Sequence, residues 1–215
     1  MFIELHIIQN FAPSNLNRDD SNSPKDCIFG GVRRARISSQ CIKRSVRLHP
    51  AFAEETGVEP ASRTRFLASA ISKRLQELGK PQEEADLAAS NFIGILLGGT
   101  DQKNPLQSKV LFYVSLEEKE QLTNLILENW EAALAGEKQK SVLEKAAKDY
   151  KKAFQKRTSA PDIAMFGRML AEDPNLNMDA ACQVAHAIST HRVNMEFDFF
   201  TAVDDLQDKE QTGAG

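Results

Sequence analysis

The stretch at residues 30–47, "GGVRRARISSQCIKRSVR", decides how this chain is read. Gly30 and Gly31 permit positive φ and mark a turn. "VRRARI" then fits a strand, with Ala35 and Ile37 expected inward and Arg34 and Arg36 outward. Ser38 or Ser39 caps a short helix, which Pro50 ends. Gln40, Lys43, Arg44 and Arg47 recur at helical spacing and share one stripe, while Ile42 and Val46 form the apolar side.

The stretch carries Arg33, Arg34, Arg36, Lys43, Arg44 and Arg47 and no acid. No carboxylate occurs between Asp26 and Glu54, although the whole chain has 27 basic against 30 acidic residues. A net charge of −3 does not by itself predict nucleic-acid binding. The placement of the charge does, because phosphate-binding patches need cations gathered on one face. Arginine adds bidentate recognition, and serine hydroxyls at a helix start suit phosphate. The competing reading is a solvated helix face.

Working outward, "FIELHII" (residues 2–8) alternates and predicts a strand, not a signal peptide. "APSNLNRDDSNSPKD" (12–26) is a loop. From about 60 to 160 the pattern is helical. "SRTRFLASAISKRLQELG" stops at Gly79, and "PQEEADLAASNFIGILL" opens with proline and acids. "KVLFYVS" is a short apolar strand. Capping boxes at Ser115/Glu118 and Ser141/Glu144 open two more helices, the second lined by Lys145, Lys148, Lys152 and Lys156. "MDAACQVAHAIST" (178–190) predicts a helix, and "VNMEFDFFTAV" alternates again.

The 215 residues, 41% of them apolar, can build a packed core. No run approaches 18 apolar residues, so no transmembrane helix is expected. Three widely spaced cysteines suggest a reducing compartment without a disulfide framework. Without a CxxC pair, a zinc site is not expected. Asp19, Asp20 and nearby Asp26 have the chemistry to hold Mg²⁺ for nucleic-acid cleavage, but acids in such a loop more often make turns. Gly98-Gly99-Thr100 lacks the lysine and spacing of a phosphate loop. "FDFF" (197–200) offers rings for stacking on bases, or an ordinary buried strand. His186 and His191 have no partner with triad logic.

The motifs "NRDD", "PKDCIFGGVRRARISSQCIKRSVR", "DIAMFGRML", "AHAISTHRV" and "DFFTAVDDLQ" together resemble the CasC-type backbone subunits of type I-E CRISPR Cascade complexes. The resemblance runs in register along the chain and is looser through the helical middle. It implies an α+β fold: an RNA-recognition-motif-like (ferredoxin-like) palm, a helical "fingers" insertion and a thumb hairpin. The implied segments are 1–58 for the first part of the palm, 59–175 for the fingers, and 176–215 for a palm helix and half of the thumb. Members of that family are longer, so the palm is expected to be incomplete unless further sequence or a second chain finishes it.

The resemblance further implies a non-catalytic subunit, without cofactor or metal, that polymerises along CRISPR RNA and displays it to target DNA. Its partners are then the RNA, target DNA, further copies of itself and other Cascade subunits in the cytoplasm, with no membrane. Arg18, Ser38, Gln40, Lys43, Arg44 and Arg47 would hold the RNA backbone, joined by Arg33, Arg34 and Arg36 of the basic strand. Met169, Phe200 and Thr201 would wedge beside a kinked nucleotide. Lys145, Lys148, Lys152 and Lys156 would face target DNA. The alternatives are a metal-dependent ribonuclease using Asp19 or Asp20, as in more distant relatives, and a protein-interaction scaffold without RNA.

Overall fold

A computed structural model describes residues 1–171 and 173–194. The fold is α+β, with small antiparallel sheets and several helices. Contacts divide it into two units where the sequence suggests three segments. One comprises Met1–Cys41 with the described residues from Ala185 onward, and the other is Ile42–Val184.

In the first unit, strands β1 (Asp26–Phe29) and β2 (Val32–Ile37) form a hairpin that pairs Phe29 with Val32. Gly30 and Gly31 lie at φ 63° and 76°. Two consecutive left-handed residues make the turn whose twist matches the flanking strands, and glycine meets that demand without strain. Strand β5 (Ala187–Ile188) adds to the other edge of β2.

The strand expected at residues 2–8 is absent. Met1–Phe11 is exposed and unpaired, with Phe2, Leu5 and Ile8 in the open. Alternation specifies a strand only when an edge is there to receive it, and none among the described residues does. The helix expected over 178–190 is also absent. Its backbone amides go instead to tertiary acceptors: Ala181 to the Ala164 carbonyl, Cys182 to that of Met165, and Ser189 to that of Ala35. A run whose amides are taken this way has no i−4 ladder to close.

The sense of β2 departs from expectation at Ala35 and its two arginine neighbours, while Ile37 is half-buried. Ala35 is exposed, while Arg34 and Arg36 are the less accessible side chains. The reason is local bonding. Arg34 donates to the carbonyls of Phe29 (3.0 Å), Ser189 (3.0 Å) and Thr190 (2.7 Å), so its guanidinium fastens the hairpin to the segment after β5.

Helix α1 (Ser39–Leu48) follows β2, and the boundary between the units falls inside it. Buried Ser38 caps it, its hydroxyl accepting from the Cys41 amide at 3.3 Å.

The second unit holds α2 (Pro50–Thr56), β3 (Ser62–Thr64), α3 (Leu67–Glu77), α4 (Gln82–Leu97), β4 (Phe112–Val114), α5 (Leu116–Glu128), α6 (Trp130–Ala135), α7 (Lys140–Phe154) and α8 (Pro161–Phe166). β3 and β4 pair antiparallel. The core lies among α3, α4, α5 and α7, where Leu67, Ile71, Phe92, Leu122, Leu143 and Tyr150 are buried. Each such side chain contributes about 1.5–3 kcal/mol of apolar burial. The Ser115/Glu118 capping box is present in full. The second expected box is not: α7 continues from a 3₁₀ turn (Gly136–Gln139), which places Ser141 inside the helix. Among the described residues no helix is long and apolar enough to cross a membrane.

Candidate nucleic-acid interface

The six cations of the basic stretch have different fates. In the first unit Arg33 lies 3.1 Å from Asp26 of the facing strand, with both side chains partly exposed. Arg34 is consumed by three carbonyls, and the buried Nε of Arg36 has no hydrogen-bond partner. Ser38 is turned inward as the helix cap, whereas Gln40 is exposed.

In the second unit Arg47 is turned inward. Its Nε donates to Asp162 at 3.0 Å, Nη2 donates to the Ala61 carbonyl at 3.1 Å, and the guanidinium stacks 4.5 Å from the Tyr113 ring. Lys43 sits with Nζ 5.8 Å from the Phe166 ring centre. Arg44 is exposed. The stripe read from the sequence thus splits, with Lys43 and Arg47 facing α8 and Arg44 facing solvent.

The expectation that no carboxylate offsets this charge is corrected. Asp26 and Asp162 both do so, the second from 115 residues away. A scan of neighbouring sequence cannot see a partner that only the fold brings near. Nothing in the sequence singles out Asp162; an acid after Pro161 at a helix start reads equally well as a complement to the helix dipole. Tyr113, whose hydroxyl donates to Asp162, is held as a phenol well above its ordinary range, by burial first and by that carboxylate second.

The loop around Arg18 is built on its own side chains. Arg18 Nη1 donates to Asn22 Oδ1 at 2.9 Å. Asp19 Oδ1 accepts from the Ser21 amide (2.9 Å), the Ser21 hydroxyl (2.7 Å) and the Ser23 amide (2.9 Å). These bonds, the Ser21 hydroxyl foremost, hold the Asp19 carboxyl below its usual range. Asp19 therefore serves as a turn former. Among the described residues no three side chains of His, Cys, Asp or Glu converge as a metal site.

Met169 is 85% exposed, directly after Arg168, which is 3% exposed. The two follow α8 through Gly167, and Arg168 and Met178 exchange backbone hydrogen bonds in an isolated antiparallel bridge at 3.0 and 2.8 Å. Phe200 and Thr201 lie outside the described residues.

On α7, Lys145, Lys148 and Lys152 are exposed, and Lys156 is exposed just past the helix. Glu144 and Asp149 are exposed among them, so this face carries mixed charge. Lys148 lines a cleft of about 770 Å³ with Lys140, Lys151, Glu137 and Glu144. Lys151 is committed to Asp173 at 2.6 Å.

Residues 3–215 match the family described as CT1975-like protein. Two solved chains are similar. One, from a CRISPR RNA-guided surveillance complex, pre-nicking, shares 33% identity over 94% of this chain with a TM-score of 0.70. The other, from a CRISPR RNA-guided surveillance complex, shares 33% identity over 83% of this chain with a TM-score of 0.67. The chain spans 56% and 55% of their lengths. No curated protein matches.

Proposed function

This chain belongs to the CT1975-like protein family, and from that premise we propose that it is a CRISPR RNA-binding backbone subunit of a Cascade-type surveillance complex. The observation that carries the reading is the 33% identity, over 94% of the chain, to a chain of a CRISPR RNA-guided surveillance complex. In this proposal the complex is of type I-E and works in the cytoplasm. The β1–β2–β5 sheet belongs to an RNA-recognition-motif-like palm. Copies stack head to tail along the guide and present it for pairing with target DNA, and the subunit performs no cleavage.

The mechanism is backbone grip. Exposed Arg18, Arg33, Gln40 and Arg44 meet sugar and phosphate, with Lys43 at the margin of the stripe. Met169 stands beside the kinked nucleotide, with Phe200 and Thr201 assigned there by resemblance. Lys145, Lys148, Lys152 and Lys156 face target DNA. Guide sequence is then read by base pairing and not by the protein, as in other guided systems.

The test is incubation of the full chain with labelled single-stranded RNA and Mg²⁺ across a range of salt. Affinity that falls steeply with salt, with the RNA left intact, is the expected result. Specific cutting abolished by Asp19→Ala or Asp20→Ala favours the ribonuclease reading instead. Assembly without RNA and insensitive to salt favours the scaffold.

A further inference from the structure

We propose that Asp162 is a positioning residue for RNA binding, which locks the cation-bearing helix α1 against α8 through Arg47. The inference rests on the RNA-binding reading above and names a residue outside the basic stretch on which that binding depends.

Asp162 is fully buried at the start of α8. A carboxylate removed from water is costly unless it is paired and its lone pairs are filled. Here they are. Both oxygens lie 3.1 Å from the Ala61 amide, one accepts from the Ile163 amide at 3.1 Å, and the other takes Arg47 Nε at 3.0 Å and the Tyr113 hydroxyl. Arg47 is held in turn by the Ala61 carbonyl and the Tyr113 ring.

A second contact sets the register. Lys43, four residues before Arg47, lies over Phe166, four residues after Asp162. Matching steps of one turn on both helices let these two side-chain contacts form together. The rotation of α1 about its own axis is thereby fixed, and Arg44 is left facing solvent. The same α8 leads through Gly167 to exposed Met169. One buried carboxylate thus fixes both the orientation of a free cation and the base from which Met169 projects. Stability alone does not require an ion pair here, because packed apolar residues often replace a buried pair without loss. Here the contacts that set the rotation are directional, a carboxylate–guanidinium bond and a cation over a ring.

The experiment measures RNA affinity of the full chain at several salt concentrations for the wild type, Asp162→Asn, Arg47→Met, the double variant and Tyr113→Phe, with thermal unfolding run alongside. Asp162→Asn and Arg47→Met are each expected to weaken binding about tenfold, and the double variant no more than about twofold beyond the worse single, as for residues acting through one contact. The salt slope is expected to stay at its wild-type value, since Arg47 meets no phosphate. If either single variant does not fold, Tyr113→Phe decides: it keeps the ring under Arg47, removes one bond to Asp162, and is expected to weaken binding about threefold.

Three results overturn the proposal while leaving RNA binding intact. One is unchanged or tighter binding by Asp162→Asn. Another is additive loss in the double variant. The third is a salt slope lowered by about 0.7 in Arg47→Met, which places that guanidinium on a phosphate. Absence of salt-dependent binding by the wild type is a different failure, which removes the RNA-binding reading and this inference with it.

Discussion

Arg168 and Met169 are adjacent in sequence and opposite in surroundings. Arg168 Nη1 donates to Glu118 Oε1 at 2.6 Å with both side chains out of water, while Met169 is 85% exposed. Glu118 also accepts from the Ser115 amide in the α5 capping box and from the buried Tyr150 hydroxyl. Arg168 additionally donates to the carbonyls of Leu176 and Tyr113. One residue anchors the segment, and the next is offered to the outside.

Arg168→Ala is expected to cost about 3–5 kcal/mol, because it strands a buried carboxylate without its cation. Urea denaturation of the full chain measures this. A loss below about 1 kcal/mol would mean that Glu118 finds another partner, and that the pair is not the anchor described.

Met169→Ala makes the opposite prediction. The side chain touches little of its own protein, so stability should move by no more than about 0.5 kcal/mol. Contacts of a thioether with a ring are worth up to about 1.5 kcal/mol, so RNA affinity should fall by at most about tenfold. A fluorescent base analogue in the bound RNA should also report altered stacking. Unchanged affinity and unchanged fluorescence would remove Met169 from the interface.

Much of the second unit is legible in the sequence because its signals are local. The proline before α4 and the acids in its first turn, the Ser115/Glu118 box and the apolar run of β4 each specify their element within a few residues. The misses share a physical cause. Residues 2–8 and 178–190 carry patterns whose outcome depends on distant partners, and those partners were invisible. β1 was hidden for a related reason: "DCIF" is short and becomes a strand by pairing with β2. In the candidate interface the cations themselves are legible, and the pairing of Arg47 with Asp162 is not. Charge along the chain says where cations are, and only the fold says which of them are already used.

Gly167→Ala tests how firmly Met169 is held. Gly167 has φ 77°, and a Cβ there would fall 2.8 Å from the Met178 carbonyl oxygen. Left-handed strain of about 1–3 kcal/mol adds to that clash. Thermal unfolding should show the loss, and RNA binding should weaken with it if the segment carries Met169 to the RNA.

Asp19 supplies a pH prediction. Its carboxyl is depressed, chiefly by the Ser21 hydroxyl and then by the Ser23 amide. A depressed folded-state value stabilises the turn above the unfolded aspartate range, and that contribution is lost as pH falls through the folded value. Carbon-detected NMR titration should place Asp19 below an ordinary aspartate, and Ser21→Ala should raise it. An ordinary value in the wild type would leave this carboxylate free for other chemistry, and the ribonuclease reading would gain.

Arg44 and Arg47 separate the free cation from the committed one. Arg44 is exposed on α1, and Arg47 is bound to Asp162. On a single strand each phosphate contact contributes about 0.7 of salt slope. Arg44→Ala should therefore lower the slope by about 0.7 and weaken RNA binding by a similar factor for unrelated guide sequences. It should leave stability within about 0.5 kcal/mol, as a surface change does. Arg47→Ala should instead cost about 3–5 kcal/mol of stability, because it strands Asp162. Titration of two guides of different sequence at several salt concentrations, beside denaturation curves for both variants, reads these outcomes together. A loss confined to one guide would place Arg44 on a base edge, and the guide would then be read partly by the protein.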